Sequence, residues 1–201
     1  MGLSVSQQTK KTYVNIVGGK FAIKAKEGDE GARSRKNKNN EMVWEHIYDT
    51  LTGIISDVKV ERVEALKAYN YIVEVNDVGD VYYVNIPVES RYGDSFAMKL
   101  LNIEKGGVYT MMPYDFQAEG KKNIGIAIYD GTEVVKGQGI KPYFSKETPN
   151  GMPVPKRQLD EDEYKAYQLT KRKFLREQVG KWTVPTPAKD VPQVESDDLP
   201  F

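Results

Sequence analysis

The sequence predicts a mainly β fold: a five-stranded barrel that carries a short helix, preceded by an extra hairpin and followed by a C-terminal helix and an acidic tail. Three observations predict it. Apolar and polar residues alternate over several short runs, which is the period of half-buried strands. Gly18-Gly19 and Val78-Gly79 punctuate those runs where tight turns belong. Two stretches with helical spacing, one short and one long, interrupt and then end the strand region.

The elements follow in order. Tyr13–Val17 and Lys20–Lys26 flank Gly18-Gly19 as a hairpin added to the barrel. Glu41–Asp49 and Gly53–Val63 read as one long bent segment, with the first barrel strand at Trp44–Val63. Tyr69–Val75 and Val81–Val88 form the clearest hairpin. With Val78-Gly79 at its turn, Asp77 faces Asp80, Val75 faces Tyr82, Val73 faces Val84 and Tyr71 faces Ile86, so one register buries both strands on one face. Ile72, Glu74, Tyr83 and Asn85 take the other face. Asp94–Asn102 reads as a short helix capped by Asp94, with Phe96, Leu100 and Ile103 as its apolar stripe. Val108–Phe116 and Asn123–Tyr129 make the last hairpin, joined by Gln117–Lys122. Met112, Tyr114 and Phe116 are expected to pack on Ile124, Ile126 and Ile128, and Pro113 marks an edge strand or a bulge. After the connector Pro142–Pro155, Asp160–Gln178 is a helix with acids in its first turn and bases in its last turns, the order that suits the helix dipole. Its apolar stripe, Tyr164, Tyr167, Phe174 and Leu175, is interrupted by Lys171.

A long bent strand, a hairpin, a short helix and a second hairpin is the order of an OB-fold, whose helix lies between strands three and four. A generic β-sandwich does not predict that helix. The expected organisation is an N-terminal hairpin with a basic loop (residues 1–41), the OB-fold (42–145), a connector with the C-terminal helix (146–183) and a disordered acidic tail (184–201).

Composition narrows the function. The chain has 201 residues, enough for one domain with a substantial core. It has no cysteine, which excludes disulfides, thiol catalysis and zinc–cysteine sites, and its one histidine, His46, leaves little for a histidine-based metal site or triad. There is no Gly-x-x-x-x-Gly-Lys phosphate loop. The carboxylates Asp160–Glu163 belong to a helix start, and Asp77 and Asp80 to a turn. The expectation is a protein that is not an enzyme, with no cofactor, no metal and no catalytic residues. No apolar run approaches the roughly 18 residues of a membrane span, and Met1–Lys11 lacks a signal-peptide core. A cytoplasmic protein without a membrane partner is expected.

Lys and Arg total 29, as do Asp and Glu, but the charge is uneven. Residues 184–201 hold Asp190, Glu195, Asp197 and Asp198 against Lys189, a net −3, which leaves +3 on residues 1–183. The basic excess lies in Gly28–Asn40 (Arg33, Arg35, Lys36 and Lys38) and in Lys171, Arg172, Lys173 and Arg176. Four prolines and net acidity oppose folding of the tail. Its end, Asp197-Asp198-Leu199-Pro200-Phe201, resembles the acidic tip of bacterial and phage single-stranded DNA-binding proteins. The run Pro87-Val88-Glu89-Ser90-Arg91-Tyr92-Gly93, together with Pro113-Tyr114-Asp115-Phe116, resembles the OB-folds of phage single-stranded DNA-binding proteins over roughly Trp44–Val135.

The resemblance implies a protein that coats single-stranded DNA without sequence preference in replication, recombination and repair. It implies a host bacterial cytoplasm if the chain is phage-encoded. It also implies that Asp197, Asp198, Leu199, Pro200 and Phe201 recruit replication or repair proteins, the ring filling a pocket and the acids meeting a basic rim. From the residues themselves, single strands need aromatic faces for bases and cations for phosphates. If Val43 and Ile47 point into the barrel, Trp44, His46 and Tyr48 line an outer face; a flipped strand would send Trp44 inward. Tyr83 is the preferred stacking residue on the outer face of the best hairpin. Arg91 reaches a phosphate or forms a surface ion pair. Arg33, Arg35, Lys36 and Lys38 form either a DNA-ordered loop or a solvated charge run. Lys121 and Lys122 sit in a loop that OB-folds use for ligands, or are plain turn residues. The rival classes are an OB-fold adaptor that binds protein or RNA, and a nuclease-like enzyme.

Overall fold

A computed structural model describes residues 11–37, 39–64 and 67–182. Lys38, the acidic tail and its tip Asp197–Phe201 lie outside the described residues.

The fold is mainly β. Nine strands form one sheet: β1 (Lys11–Val17), β2 (Lys20–Ala25), β3 (Arg33–Lys36), β4 (Met42–Tyr48), β5 (Leu51–Val63), β6 (Ala68–Asp77), β7 (Asp80–Pro87), β8 (Val108–Ala118) and β9 (Lys121–Asp130). Two α-helices join them, α1 (Arg91–Ala97) between β7 and β8 and the C-terminal α2 (Glu161–Trp182). The sheet order is β3-β4-β2-β1-β7-β6-β5-β8-β9. Every neighbouring pair is antiparallel except β1 with β7.

The sheet is a curled half-barrel. β2 and β8 stand five places apart in the order, yet the β1–β2 turn returns to touch β8. Gly19, at φ +76°, comes so near that a Cβ on it would lie 2.5 Å from the Asp115 backbone nitrogen. Only glycine fits there. The Gly19 N–H donates to the Tyr92 hydroxyl at the start of α1, 3.0 Å away.

The closed five-stranded barrel does not form, because both edges it would join are occupied. β1 pairs in parallel along β7, Lys11 with Val81 through Val14 with Val84. The N-terminal hairpin is therefore part of the sheet and not an addition packed on a barrel. On the far side, α1 and the turn after it cover the edge of β9: Ser95 Oγ accepts from the Ile126 N–H at 3.1 Å, and Lys99 Nζ, just past α1, donates to the Ile126 carbonyl at 2.9 Å. Arg91 donates to the Lys122 carbonyl at 2.9 Å, and the Ile140 N–H donates to the Ile128 carbonyl at 2.6 Å. An edge capped this way cannot accept another strand.

Several local expectations change. The long bent strand is two strands, β4 and β5, which part after Tyr48 and sit at distant places in the sheet. Arg33–Lys36 is an edge strand, not a loop. The cap of α1 is Ser90, whose hydroxyl accepts from the Gly93 N–H; Asp94 lies in the first turn and pairs with Lys171 and Arg172 of α2, at 3.4 and 3.2 Å. The β8–β9 register sets Met111 against Ile128, Pro113 against Ile126 and Asp115 against Ile124. Tyr114 and Phe116 therefore point to the opposite face from the isoleucines. The β6–β7 hairpin pairs as its pattern predicts, from Tyr71 with Ile86 to Asp77 with Asp80.

One core spans the inner face of the sheet. It joins Val14 and Phe21 to Val58, Val73, Val84, Ile126 and Ile128, and is plugged by Phe96 and Leu100 and by Leu175 and Val179 of α2. Phe144 of the connector is buried and meets Phe174 edge-on at 5.3 Å. Asp160 and Glu163 hold the start of α2 in a reciprocal capping box.

Candidate nucleic-acid interface

Register decides which way each candidate side chain points, since directly paired residues share a face. Trp44 pairs with Ala25, His46 with Ile23 and Tyr48 with Phe21. Phe21 and Ile23 pair in turn with Ile16 and Val14, and Val14 with Val84. Trp44, His46 and Tyr48 thus lie on the inner face, continuous with the core, and not on the outer face predicted from Val43 and Ile47. The flipped strand is the observed one. What exposes the three rings is position: β4 lies beyond the part of the sheet that α1 and α2 cover. Trp44 and His46 are half-buried and Tyr48 is 48% exposed. Tyr48 lines an open groove of about 120 Å³ with Phe21, Ile23, Leu51 and Tyr82.

The basic residues divide. Arg35 forms a two-pronged pair with Glu45, Nε to Oε2 at 2.7 Å and Nη2 to Oε1 at 2.6 Å. Glu45 is buried, so Arg35 is the counter-ion that makes its burial tolerable. The exposed Arg33 and Lys36 have no ion pair among the described residues; Lys36, opposite Met42, shares the face of Trp44, while Arg33, opposite Glu45, lies on the other face. Lys122 Nζ lies 3.3 Å from Asp115, and Arg91 spends one guanidinium nitrogen on the Lys122 carbonyl. Lys121, exposed, begins β9 just after the Glu119-Gly120 turn.

Tyr83 lies on the outer face with Ile72 and Asn85, opposite to the β4 rings. Tyr13, which the sequence reading passed over, is 60% exposed and packs beside it, ring centres 5.6 Å apart. The alternation of Tyr13 with the buried Val14 was the available signal. These rings border a groove of about 230 Å³ with Lys11, Lys59, Asp57, Glu61 and Glu74. Desolvation, then the Glu74 carboxylate, raises the Tyr83 hydroxyl above its usual pKa. Three carboxylates against two lysines make this groove a poor host for phosphate.

A second missed aromatic is Phe116, 53% exposed, with Tyr114 at 5.7 Å. Both line a groove between the β1–β2 turn and β8 that also holds Lys20 and Asp49. Tyr114 and Phe116 lie on the opposite face from the β4 rings, and Lys20 is ion-paired with Asp49 in this groove.

Among the described residues no three His, Asp or Glu side chains group in a way that could hold a metal ion. No helix among them is long and apolar enough to cross a membrane. Compared with protein-family models, curated proteins and solved structures, the chain matches none.

Proposed function

We propose that the chain binds single-stranded DNA without sequence preference and protects it during replication, recombination and repair. The observation that carries this reading is the row Trp44, His46 and Tyr48 on an open sheet face, with Lys36 on the same face opposite Met42 and without an ion pair among the described residues. Exposed ring faces with an unpaired cation beside them are what a flexible phosphodiester strand requires. Tyr114 and Phe116 lie on the other face of β8 and form a separate aromatic patch, with Lys121 and Lys122 at the end of the β8–β9 hairpin. The order β5, β6–β7, α1, β8–β9 supports an OB-type unit opened by the insertion of β1 at the β7 edge. Asp197–Phe201 is the proposed docking segment for replication or repair proteins, on the strength of its sequence alone.

Titration with oligo-dT at two salt concentrations tests the reading, with the fluorescence of Trp44 as reporter against a Trp44→Phe control. Affinity should fall with salt by a slope of roughly −0.7 per neutralised phosphate. Equal affinity for duplex and single strand would sink it. Binding of RNA or of a protein in place of DNA would favour the adaptor class.

A further inference from the structure

The first three turns of α2 stand clear of the core: between residues 161 and 170 no side chain is buried, and Leu169 is 64% exposed. Four exposed residues, Asp162, Ala166, Leu169 and Lys173, follow one another at steps of four, three and four. That spacing sets them in a single line along the helix, the spacing of a two-helix seam. The line lies roughly 130° around the helix from the buried Leu175 and Val179, so it faces solvent and not the sheet. Lys173 has no ion pair among the described residues, and Asp162 touches only Lys165, at 3.5 Å.

We propose that this line is the seam of a homodimer in which two copies pack their α2 helices antiparallel. The stripe is complementary to itself under a two-fold axis between residues 167 and 168. That axis sets Ala166 against Leu169 of the second copy, twice, at the centre. It sets Asp162 against Lys173 of the second copy at both ends, an acid against a base. A parallel arrangement would oppose like charges and gain neither pair. The line faces away from its own sheet, so the sheets of the two copies lie on the outer sides of the helix pair. The seam is about 16 Å long. Such a contact is small beside standard interfaces of about 1,600 Å², so dimerisation depends on concentration.

The chain has no cysteine, so one introduced thiol is unique. In the full chain, Ala166→Cys brings the two thiols to helices roughly 8–10 Å apart and about 4.5 Å apart along the axis, within reach of a short bis-maleimide. Glu177→Cys, exposed on the same helix, separates them by about 28 Å. Cross-linked dimer is expected from the first variant, rising with concentration, and not from the second. Adding Leu169→Glu to Ala166→Cys should lower the yield about tenfold, which is about 1.4 kcal/mol, with an unchanged circular dichroism spectrum. Asp162→Lys and Lys173→Glu should each lower it, and the two together should restore it. Equal yields from both cysteine positions, no dimer from Ala166→Cys at any concentration, or a double reversal no better than either single one would overturn the proposal.

Discussion

Replacing Tyr48 by alanine separates the two faces on which aromatic rings are presented. Tyr48 is half exposed and has no ring partner among the described residues, so its loss removes little packing. Half of a large side chain's burial is about 1 kcal/mol, which lowers the melting temperature of a domain this size by roughly 2–4 °C. If a base stacks on the ring, affinity for single-stranded DNA should fall by about 1–3 kcal/mol, or roughly fivefold to 150-fold in Kd. Fluorescence anisotropy with labelled oligo-dT at two salt concentrations measures it. Stacking is not ionic, so the salt slope should stay at the wild-type value, whereas Lys36→Ala should make it shallower by roughly 0.7. Tyr83→Ala, on the opposite and more acidic face, should change affinity less than about twofold. The result that refutes the reasoning is the reverse pair: a large loss from Tyr83→Ala and none from Tyr48→Ala. DNA would then run over the outer face despite Asp57, Glu61 and Glu74.

Arg35→Ala should cost roughly 2 kcal/mol of stability by stranding the buried Glu45 carboxylate, and Arg35→Met with Glu45→Met should recover most of it in urea titrations. Val78 sits fully exposed at φ +38° in the β6–β7 turn, so Val78→Asn should stabilise by about 1 kcal/mol; no gain would show that the turn relaxes in solution. Burial pushes the Lys99 ammonium down from 10.5 to about 8, so the unfolded chain binds the extra proton between those values and stability rises with pH across that window, by about 3 kcal/mol in full. Lys99→Met should remove that rise, and parallel pH–stability curves for the two proteins would contradict it. Deleting Asp197–Phe201 should raise affinity for single-stranded DNA modestly, since two acids that repel phosphate are lost, and should abolish capture of a replication or repair partner; unchanged DNA affinity at low salt would reject the competition.

Local pairing was legible and long-range pairing was not. The β6–β7 register follows from six apolar residues and a Val-Gly turn, all within twenty residues of one another. The Gly18-Gly19 turn and the acid-to-base order of α2 are equally local. The face of β4 failed for a physical reason. Val43 and Ile47 are apolar and Glu45 lies between them, so the strand's own alternation favoured burying that side. The partner strand decides otherwise: Phe21 and Ile23 of β2 enter the core and carry Trp44, His46 and Tyr48 with them. Glu45 then needs Arg35, which turns a residue read as a phosphate ligand into a structural counter-ion. The β8 rings failed in the same way, since a shift of one residue in register sends every side chain to the other face.

The edge of β7 is where these differences originate. Four residues, Lys11–Val14, pair along it in parallel, a contact across about seventy positions that no periodicity encodes. Once β1 holds that edge, β9 has no strand to close upon, and Ser95 of α1 and Lys99 just after it cap it. β1 also brings β2, β4 and β3 into the sheet beside it, and so extends the inner face past the helices that cover the core. A closed barrel would turn that face inward and bury any ring on it. Opened in this way, the same face keeps Phe21 and Val14 in the core and leaves Tyr48 half exposed at its margin, at the other end of the β4 row from Lys36. The aromatic row proposed to hold DNA is thus a consequence of the pairing that prevents closure. Disrupting the β1–β7 pairs should therefore disperse that row along with the fold, whereas changing α2's solvent face should leave it intact.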